Sequence, residues 1–282
     1  MGTAELLFNI LTVDLEDWYH PEYVKDKTWS KKEERIQHSL KITLDLLDGL
    51  NINATFFVVG ELVERHPEII EEIRRKHHEI AFHGYYHEPF WNLDPDKLKS
   101  EIERFNFLIN EKCIGFRAPS FSLSNKTKWA LKVLQDCGYR YDSSLFPAKT
   151  PLYGVWNAPT APYKPSLEDL TRNDEKAKLW EFPMLVYSMN GIKVPVAGGF
   201  YLRFFSVSLI ARAIRKLNRQ GFPAVIFFHN WELDPETPRL KLGLYKYFVT
   251  YHKLKETRSK LETLLSQFRF MGVAEYMKTH IT

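Results

Sequence analysis

A chain of 282 residues, 44% hydrophobic and 26% charged with a net charge of +4, is long enough to bury a large core and ordinary for a globular protein. The mild charge and the lack of a Lys/Arg block exclude a nucleic-acid-binding chain, while an anionic substrate stays open. Two cysteines, Cys113 and Cys137, exclude a disulfide framework. No stretch approaches the roughly 20 apolar residues of a membrane span. No charged segment followed by an apolar one marks the N-terminus, so no signal peptide and a cytoplasmic location are expected.

In chain order, residues 6–20, LLFNILTVDLEDWYH, form an apolar strand-like run that stops in Asp14, Glu16 and Asp17, followed by Trp18, Tyr19 and His20. In parallel α/β folds chemistry gathers at the carboxyl ends of strands, so this run is a candidate site. A solvated acidic turn is the alternative. Ser30 then stands at capping-box spacing before a helix with Ile36, Leu40, Leu44 and Leu47 on one face, ending near Gly49. Residues 54–60 are β-rich, Pro67 opens a helix through Ile70 and Ile73, and 79–83 is a short strand. Asp94 and Pro95 start a helix carrying Leu98, Ile102, Phe105 and Ile109.

Residues 114–117 form another short strand, and Ser124 caps a helix that stops at Gly138. Cys137 lies at helical spacing with Ala130, Val133 and Leu134 and is expected in the core. Residues 139–142 are strand again. Residues 146–180, rich in Pro, Asn and charge, read as a long surface loop or insertion. Two strands at 179–187 and 191–196 are joined by the turn Asn190-Gly191. Ser206 begins a helix with Ile210, Ile214 and Leu217, and 223–229 is the most apolar strand of the second half. A basic, aromatic helix is predicted over about 245–265, and 268–273 as the closing strand. Strands alternating with amphipathic helices imply βα units on a parallel sheet, and about seven of them favour a barrel.

Four further clusters carry chemistry. His83 and His87, four apart after a strand, can share one metal; two surface or core histidines are the alternative. Arg117, in Gly115-Phe-Arg-Ala-Pro119-Ser120, can hold a carboxylate by a two-pronged bond. Asp142 sits in Tyr141-Asp-Ser-Ser. His229 ends an apolar strand and leads into Asn230, Trp231 and Glu232.

Taken in order, Asp14-x-Glu16-Asp17, His83-x-x-x-His87, Arg117-x-Pro119, Asp142 and Phe228-His229 resemble the five motifs of the NodB-homology polysaccharide deacetylases, also grouped as carbohydrate esterase family 4. The runs at 198–203 and 229–235 resemble a subgroup associated with exopolysaccharide loci. The resemblance implies an α/β fold, a distorted (β/α)7 barrel forming a single domain over 1–282 with the insertion at about 146–180. It implies Asp14 as catalytic base, Arg117 as its orienting residue, His229 as catalytic acid and Asp142 as the carboxylate that tunes it. It implies His83 and His87 as metal ligands with Glu16 or Asp17. The ion expected is one divalent metal, Zn2+ ahead of Co2+, Mn2+ or Ni2+.

Two departures mark this chain. Leu15 separates Asp14 from Glu16, where relatives commonly have adjacent aspartates; strand alternation puts Asp14 and Glu16 on one face, with Asp17 as rival ligand. His77 stands where relatives often have Gly, and reads as exposed beside a structural His78. Trp18, Trp91, Trp156 and Trp231 are candidates to stack on sugars, with Pro119 and Ser120 also at the substrate. A backbone N–H near Ser120 is a candidate oxyanion donor.

The function expected is removal of acetyl groups from N-acetylated sugars of a polysaccharide or glycan precursor. The partner expected is thus a glycan, with no nucleic acid. Hydrolysis of a small linear or cyclic amide is a second reading. An iron oxygenase would use the same two-His, one-carboxylate set, but such enzymes are usually β-rich. A non-catalytic carbohydrate-binding protein would have no use for Asp14, Arg117 and His229 beside the metal residues.

Overall fold

The computed structural model describes residues 7–25 and 33–281. The predicted capping box at Ser30 and the first residue of the opening run, Leu6, lie outside the described residues. β1 (Phe8–Leu15) is buried at every position from Asn9 onward. A parallel strand covered on both faces reads as a continuous apolar run rather than an alternating one. Its polar members are satisfied: Asn9 exchanges amide bonds of 2.8 and 3.3 Å with Asn218 at the end of a covering helix, and Thr12 Oγ1 donates to Ile226 O on the neighbouring strand at 3.1 Å.

α1 (Ile36–Leu50) buries Leu40, Leu44 and Leu47 and ends at Asn51 in the left-handed conformation, two residues past the expected stop at Gly49. There follow β2 (Thr55–Val58), α2 (Gly60–Arg65), α3 (Glu68–Arg75), β3 (Glu79–Phe82) and α4 (Pro95–Ile109). Asp94 caps α4 by accepting from Lys97 N at 2.8 Å. Next come β4 (Gly115–Phe116), α5 (Trp129–Asp136), β5 (Tyr141–Asp142) and β6 (Trp180–Glu181). β7 (Val186–Met189) and β8 (Ile192–Pro195) form an antiparallel hairpin whose turn has Asn190 and Gly191 at φ 50° and 79°. The chain ends with α6 (Gly199–Phe204), α7 (Val207–Asn218) capped by Ser206, β9 (Val225–His229), α8 (Leu244–Tyr251), α9 (Thr257–Leu265), β10 (Arg269–Met271) and α10 (Val273–His280).

Seven parallel strands run in the order β9-β1-β2-β3-β4-β5-β6, and β10 pairs with the start of β1. The gap between the ends of this path is crossed by Leu185 N donating to Val225 O at 3.0 Å and Phe227 N to Ala197 O at 3.1 Å. Gly198 bridges Phe227 there; a Cβ at Gly198 would fall 2.0 Å from Phe227 O, so a side chain would force the backbones apart. The result is a distorted (β/α)7 barrel. Its register places Asp14 directly opposite His229 on β9.

Several predicted elements differ from what forms. α5 starts at Trp129 rather than after Ser124, because Ser124 and Thr127 close a local turn: Thr127 N donates to Ser124 O at 3.0 Å and Ser124 N to Thr127 Oγ1 at 2.9 Å. Residues 146–180 are not simply a surface loop. Phe146, Ala148, Leu170 and Leu179 are fully buried, and Phe146 packs edge-on to Phe121. The predicted 245–265 helix is two helices, broken where Lys253 takes φ 52°. α2, α6 and α10 have no counterpart among the expected elements, and the strand expected over 179–187 forms as two, β6 and β7. Cys113 is buried; Cys137, expected in the core, is half-buried, and both are free.

Candidate active site

The site begins with a buried arginine. Arg117 follows β4, is 0% exposed and commits its whole guanidinium. Nε donates to Ser143 O at 2.9 Å, Nη2 to Ser143 Oγ at 2.9 Å and to Met184 Sδ at 3.8 Å, and Nη1 to Thr12 Oγ1 at 2.9 Å and Asp14 Oδ1 at 2.5 Å. Its Cζ lies 4.1 Å over the Phe57 ring. A planar fork so occupied fixes the Asp14 carboxylate in one orientation. Asp14 Oδ2 is then the free oxygen, 4.0 Å from His83 Nε2.

Glu16, His83 and His87 form the second group, each buried, with one ligand atom apiece within 4.8 Å of the others. His83 Nδ1 lies 2.8 Å from Arg117 O. A carbonyl only accepts, so Nδ1 carries the proton and Nε2 presents its lone pair. Burial lowers the His83 pKa to about 4, against the pull of Asp14, so the ring is neutral at ordinary pH. Glu16 Oε2 and His87 Nδ1 are buried without a hydrogen bond among the described residues. His87 Nε2 stands 2.9 Å from Glu16 Oε2, but out of hydrogen-bond alignment. Burial raises the Glu16 pKa, yet the imidazoles of His87 and His229 hold it below the usual carboxylate range. Two imidazoles and an ionised carboxylate with an orphaned buried oxygen fit a divalent cation, and leave room for further ligands as catalytic centres do.

Asp17 does not join this group, which corrects its expectation as a rival ligand. Its Oδ1 accepts from Trp18 N at 2.9 Å and its Oδ2 from Arg35 N at 2.9 Å, so both oxygens serve the chain turn after β1. Glu16→Gln, His83→Ala and His87→Ala are each expected to lose divalent metal by elemental analysis, while Asp17→Asn keeps most of it. Equal metal in all four would contradict the grouping.

The third group surrounds His229. Its Nδ1 lies 3.0 Å from Glu232 Oε2, and its Nε2 lies 3.6 Å from Glu16 Oε1. Trp231 stacks on the ring at a 5.5 Å centroid distance and donates from Nε1 to Glu16 Oε1 at 3.0 Å. Burial pulls the His229 pKa down, but Glu16 and Glu232 outweigh it and raise it to about 9. Glu232 in turn is lowered to about 2: burial opposes this, while Arg203 and then His229 favour the charged form. Arg203 Nε donates to Glu232 Oε1 at 2.7 Å, and its two other nitrogens hold His252 O and Val249 O at 2.6 and 2.9 Å.

Asp142, expected to tune His229, is therefore corrected: the carboxylate on His229 is Glu232. Asp142 faces Glu181 across β5 and β6. Ser144 Oγ donates to Asp142 Oδ1 at 2.5 Å, and Leu145 N to Glu181 Oε1 at 2.9 Å. Burial raises both carboxyl pKa values, Asp142 to about 6 and Glu181 further because of Asp142. Such a pair retains a proton in the native state after the unfolded chain has released it. Stability is then lost as pH rises from about 4 through about 6 and above. Glu181→Gln is expected to flatten that slope and to raise stability at pH ~8 by on the order of 1–3 kcal/mol. Thermal unfolding across this pH range measures it, and an unchanged slope would contradict the shared proton.

Ser120, at φ 55°, and Phe121, at φ 47°, are consecutive left-handed residues at the cavity wall, and His87 is a third at φ 51°. Non-glycine residues held there cost about 1–3 kcal/mol each and cluster at functional sites. Pro119 lies against Gly84, where a Cβ would meet its ring at 2.9 Å. The cavity between these groups is walled by Tyr23, Phe121, Tyr153, Phe200, Tyr201 and Phe227. Trp231 lines it, whereas Trp18 does not: Trp18 is buried with Tyr19, Tyr251 and Leu254 and donates from Nε1 to Glu33 O at 2.9 Å. Trp91 and Trp156 are exposed and do not line it. His78 is buried and takes Ala54 N on Nδ1 at 3.2 Å, and exposed His77 has φ 60°, a value glycine adopts freely.

Glu232 and Arg203 lie within the runs at 229–235 and 198–203, where no role was expected of either. The signal for Glu232 is its spacing, three residues after His229 in a single turn that brings its carboxylate back to Nδ1.

Fold and site together define a (β/α)7-barrel protein in which three side chains that could hold a cation are set between an Asp–Arg pair and a His–Glu–Arg chain. Residues 26–141 match the family described as Polysaccharide deacetylase, and residues 143–278 match a Domain of unknown function (DUF3473). Over residues 26–141 the chain thus carries a polysaccharide deacetylase segment of the NodB-homology type. Peptidoglycan deacetylase-like protein FGM2 of Gibberella zeae is 31% identical over 116 residues, 39% of this chain and 33% of that one. A peptidoglycan-N-acetylglucosamine deacetylase of Bacillus cereus is 33% identical over 101 residues, 32% of this chain and 36% of that one. The chain thus matches about a third of the length of these relatives. A crystal structure of a Mycobacterium smegmatis protein assigned to the polysaccharide deacetylases superposes with a TM-score of 0.59 at 20% identity, covering 95% of this chain and 88% of that one. That likeness concerns the fold. No helix among the described residues is long and apolar enough to cross a membrane.

Proposed function

We propose that the chain is a metal-dependent hydrolase that removes acetyl groups from N-acetylated sugars of a polysaccharide or glycan precursor. The observation that carries this reading is the register pair Asp14–His229 on β1 and β9, which sets a carboxylate and an imidazole beside the Glu16–His83–His87 group. The curated relatives named for peptidoglycan and chitin support the substrate class.

Glu16, His83 and His87 would hold one divalent ion, Zn2+ before Co2+, Mn2+ or Ni2+; when bound, it would supply positive charge to a carbonyl oxygen and acidify a water. Asp14, turned by Arg117, takes the proton of the attacking water on its free Oδ2. His229 holds its Nδ1 proton on Glu232, so its Nε2 proton is the one offered to the departing amine. A pKa of about 9 keeps that proton in place at neutral pH. The Ser120 N–H is the proposed donor to the developing oxyanion, since the Phe121 N–H already donates to Ala118 O at 3.1 Å. The aromatic walls exclude water and present ring faces to a sugar.

This mechanism draws on both matched segments, which supports one catalytic domain. The quoted runs that carry Arg203 and His229 support the exopolysaccharide-associated subgroup. The location proposed is the cytoplasm, supported by two free cysteines. The test is acetate release from N-acetyl-sugar oligomers, sugar nucleotides and small amides, with Zn2+, Co2+, Mn2+ and Ni2+ supplied in turn. Release from the sugars supports the proposal; release from the small amides alone replaces it with the amide reading.

A further inference from the structure

Beside the cavity lies a surface that the proposed chemistry does not use. Residues 237–255 contain no Asp or Glu, and carry Arg239, Lys241, Lys246, Lys253 and Lys255, all exposed. Of the acids at its borders, Glu236 pairs with Arg35 at 2.9 Å, Glu256 approaches Lys253 only to 3.8 Å, and Glu22 lies on the cavity side beside Tyr23. Within this run α8 turns Leu244, Tyr245 and Phe248 outward, at 93, 57 and 43% exposure. The patch continues onto α6: Phe248 lies 5.5 Å from Phe200 and 6.4 Å from Phe204 between ring centroids, and Phe204 is 47% exposed. It also reaches the first turn after β1, where Tyr245 meets Tyr23 at 5.9 Å. Phe200 and Tyr23 both line the cavity, so this apolar surface borders its mouth.

Single exposed apolar residues are ordinary, but a contiguous aromatic patch bordered by one sign of charge marks a binding surface. We propose that the α6–α8 rim docks on an anionic lipid bilayer. Leu244, Tyr245, Phe204 and Phe248 enter the headgroup boundary, and the basic residues meet the anionic headgroups. Charge complementarity favours a bilayer over a protein partner. Lysine is depleted in protein–protein interface cores, whereas here Lys246 stands between two exposed tyrosines. Tyrosine and lysine side chains each bridge an apolar layer and water. Docking in this way sets the cavity mouth at the membrane surface, so the acetylated glycan it receives is one carried on a lipid. That last clause rests on the deacetylase reading; the docking does not.

The full chain is sedimented with vesicles of phosphatidylcholine alone and of phosphatidylcholine with phosphatidylglycerol. Binding to the anionic vesicles, weakened by salt, is expected, with little binding to the neutral ones. Leu244→Ser/Phe248→Ser should lower partitioning at least ~10-fold, and Lys241→Gln/Lys246→Gln about 25-fold, near fivefold per charge removed. Acetate release from a soluble oligomer is measured on the same samples and should not change in either variant. No binding to anionic vesicles at low salt, or undiminished binding by both variants, overturns the proposal. So does a wild-type dimer that Leu244→Ser/Phe248→Ser converts to monomer without vesicle binding, since the patch is then a self-interface. Vesicle binding without acetate release would overturn the deacetylase reading and leave the docking standing.

Discussion

Asp14→Asn is expected to lower acetate release by roughly 10²–10⁴-fold, the usual worth of a general base, while the protein keeps its divalent metal. The substitution preserves volume and leaves an oxygen for the Arg117 Nη1 bond. It removes the one property the mechanism needs, a carboxylate that accepts a proton. It also leaves the Arg117 charge buried without its counter-ion, a change that costs about 3–5 kcal/mol when a buried pair is broken outright. Thr12, Ser143 and the Phe57 ring still hold the guanidinium, so the chain is expected to fold with a lowered Tm. Metal content and turnover measured on one preparation separate the two effects. Wild-type turnover in this variant would remove Asp14 from the base role.

His229→Ala is expected to cost a similar factor on an amide and much less on an ester with a good leaving group. The departing amine is a poor leaving group unless protonated, and Nε2 of His229 is the proton source that the site places beside Glu16. The pH profile carries a second signature. The acid form of His229 is required, so kcat/KM should fall as pH rises through about 9, and that limb should flatten in the alanine variant. Glu232→Gln removes a charge that raises the His229 pKa, so the same limb should move to lower pH while the ring remains. An alkaline limb unmoved by either substitution would assign it to another group.

How much of this is legible in the sequence depends on the distance over which each contact acts. Asp14, His83 and His229 are visible because each sits where an apolar run stops, and such stops are local. The facing of Asp14 and His229 is not local: it needs β9 to return beside β1, which only the barrel's topology brings about. Asp142 and Glu232 are exchanged for the same reason. Both are carboxylates near strand ends, and nothing in linear spacing says that β5 points Asp142 at Glu181. Glu232 alone had a local sign, its offset of three from His229. Asp17 and Glu16 are equivalent in composition; the backbone N–H groups of Trp18 and Arg35 decide between them after folding. Residues 146–180 mislead because polar composition hides the few side chains, Phe146 and Leu170 among them, that are fully buried in the core.

Acetate release is expected to depend on a divalent ion in the Glu16–His83–His87 group. The most direct measurement strips the wild-type protein with a chelator, verifies the loss by elemental analysis, and follows acetate release from an N-acetylglucosamine oligomer before and after Zn2+ is returned. No release is expected from the stripped protein, with recovery near one Zn2+ per chain and none in His83→Ala/His87→Ala. Undiminished release from protein shown to be metal-free would contradict that dependence.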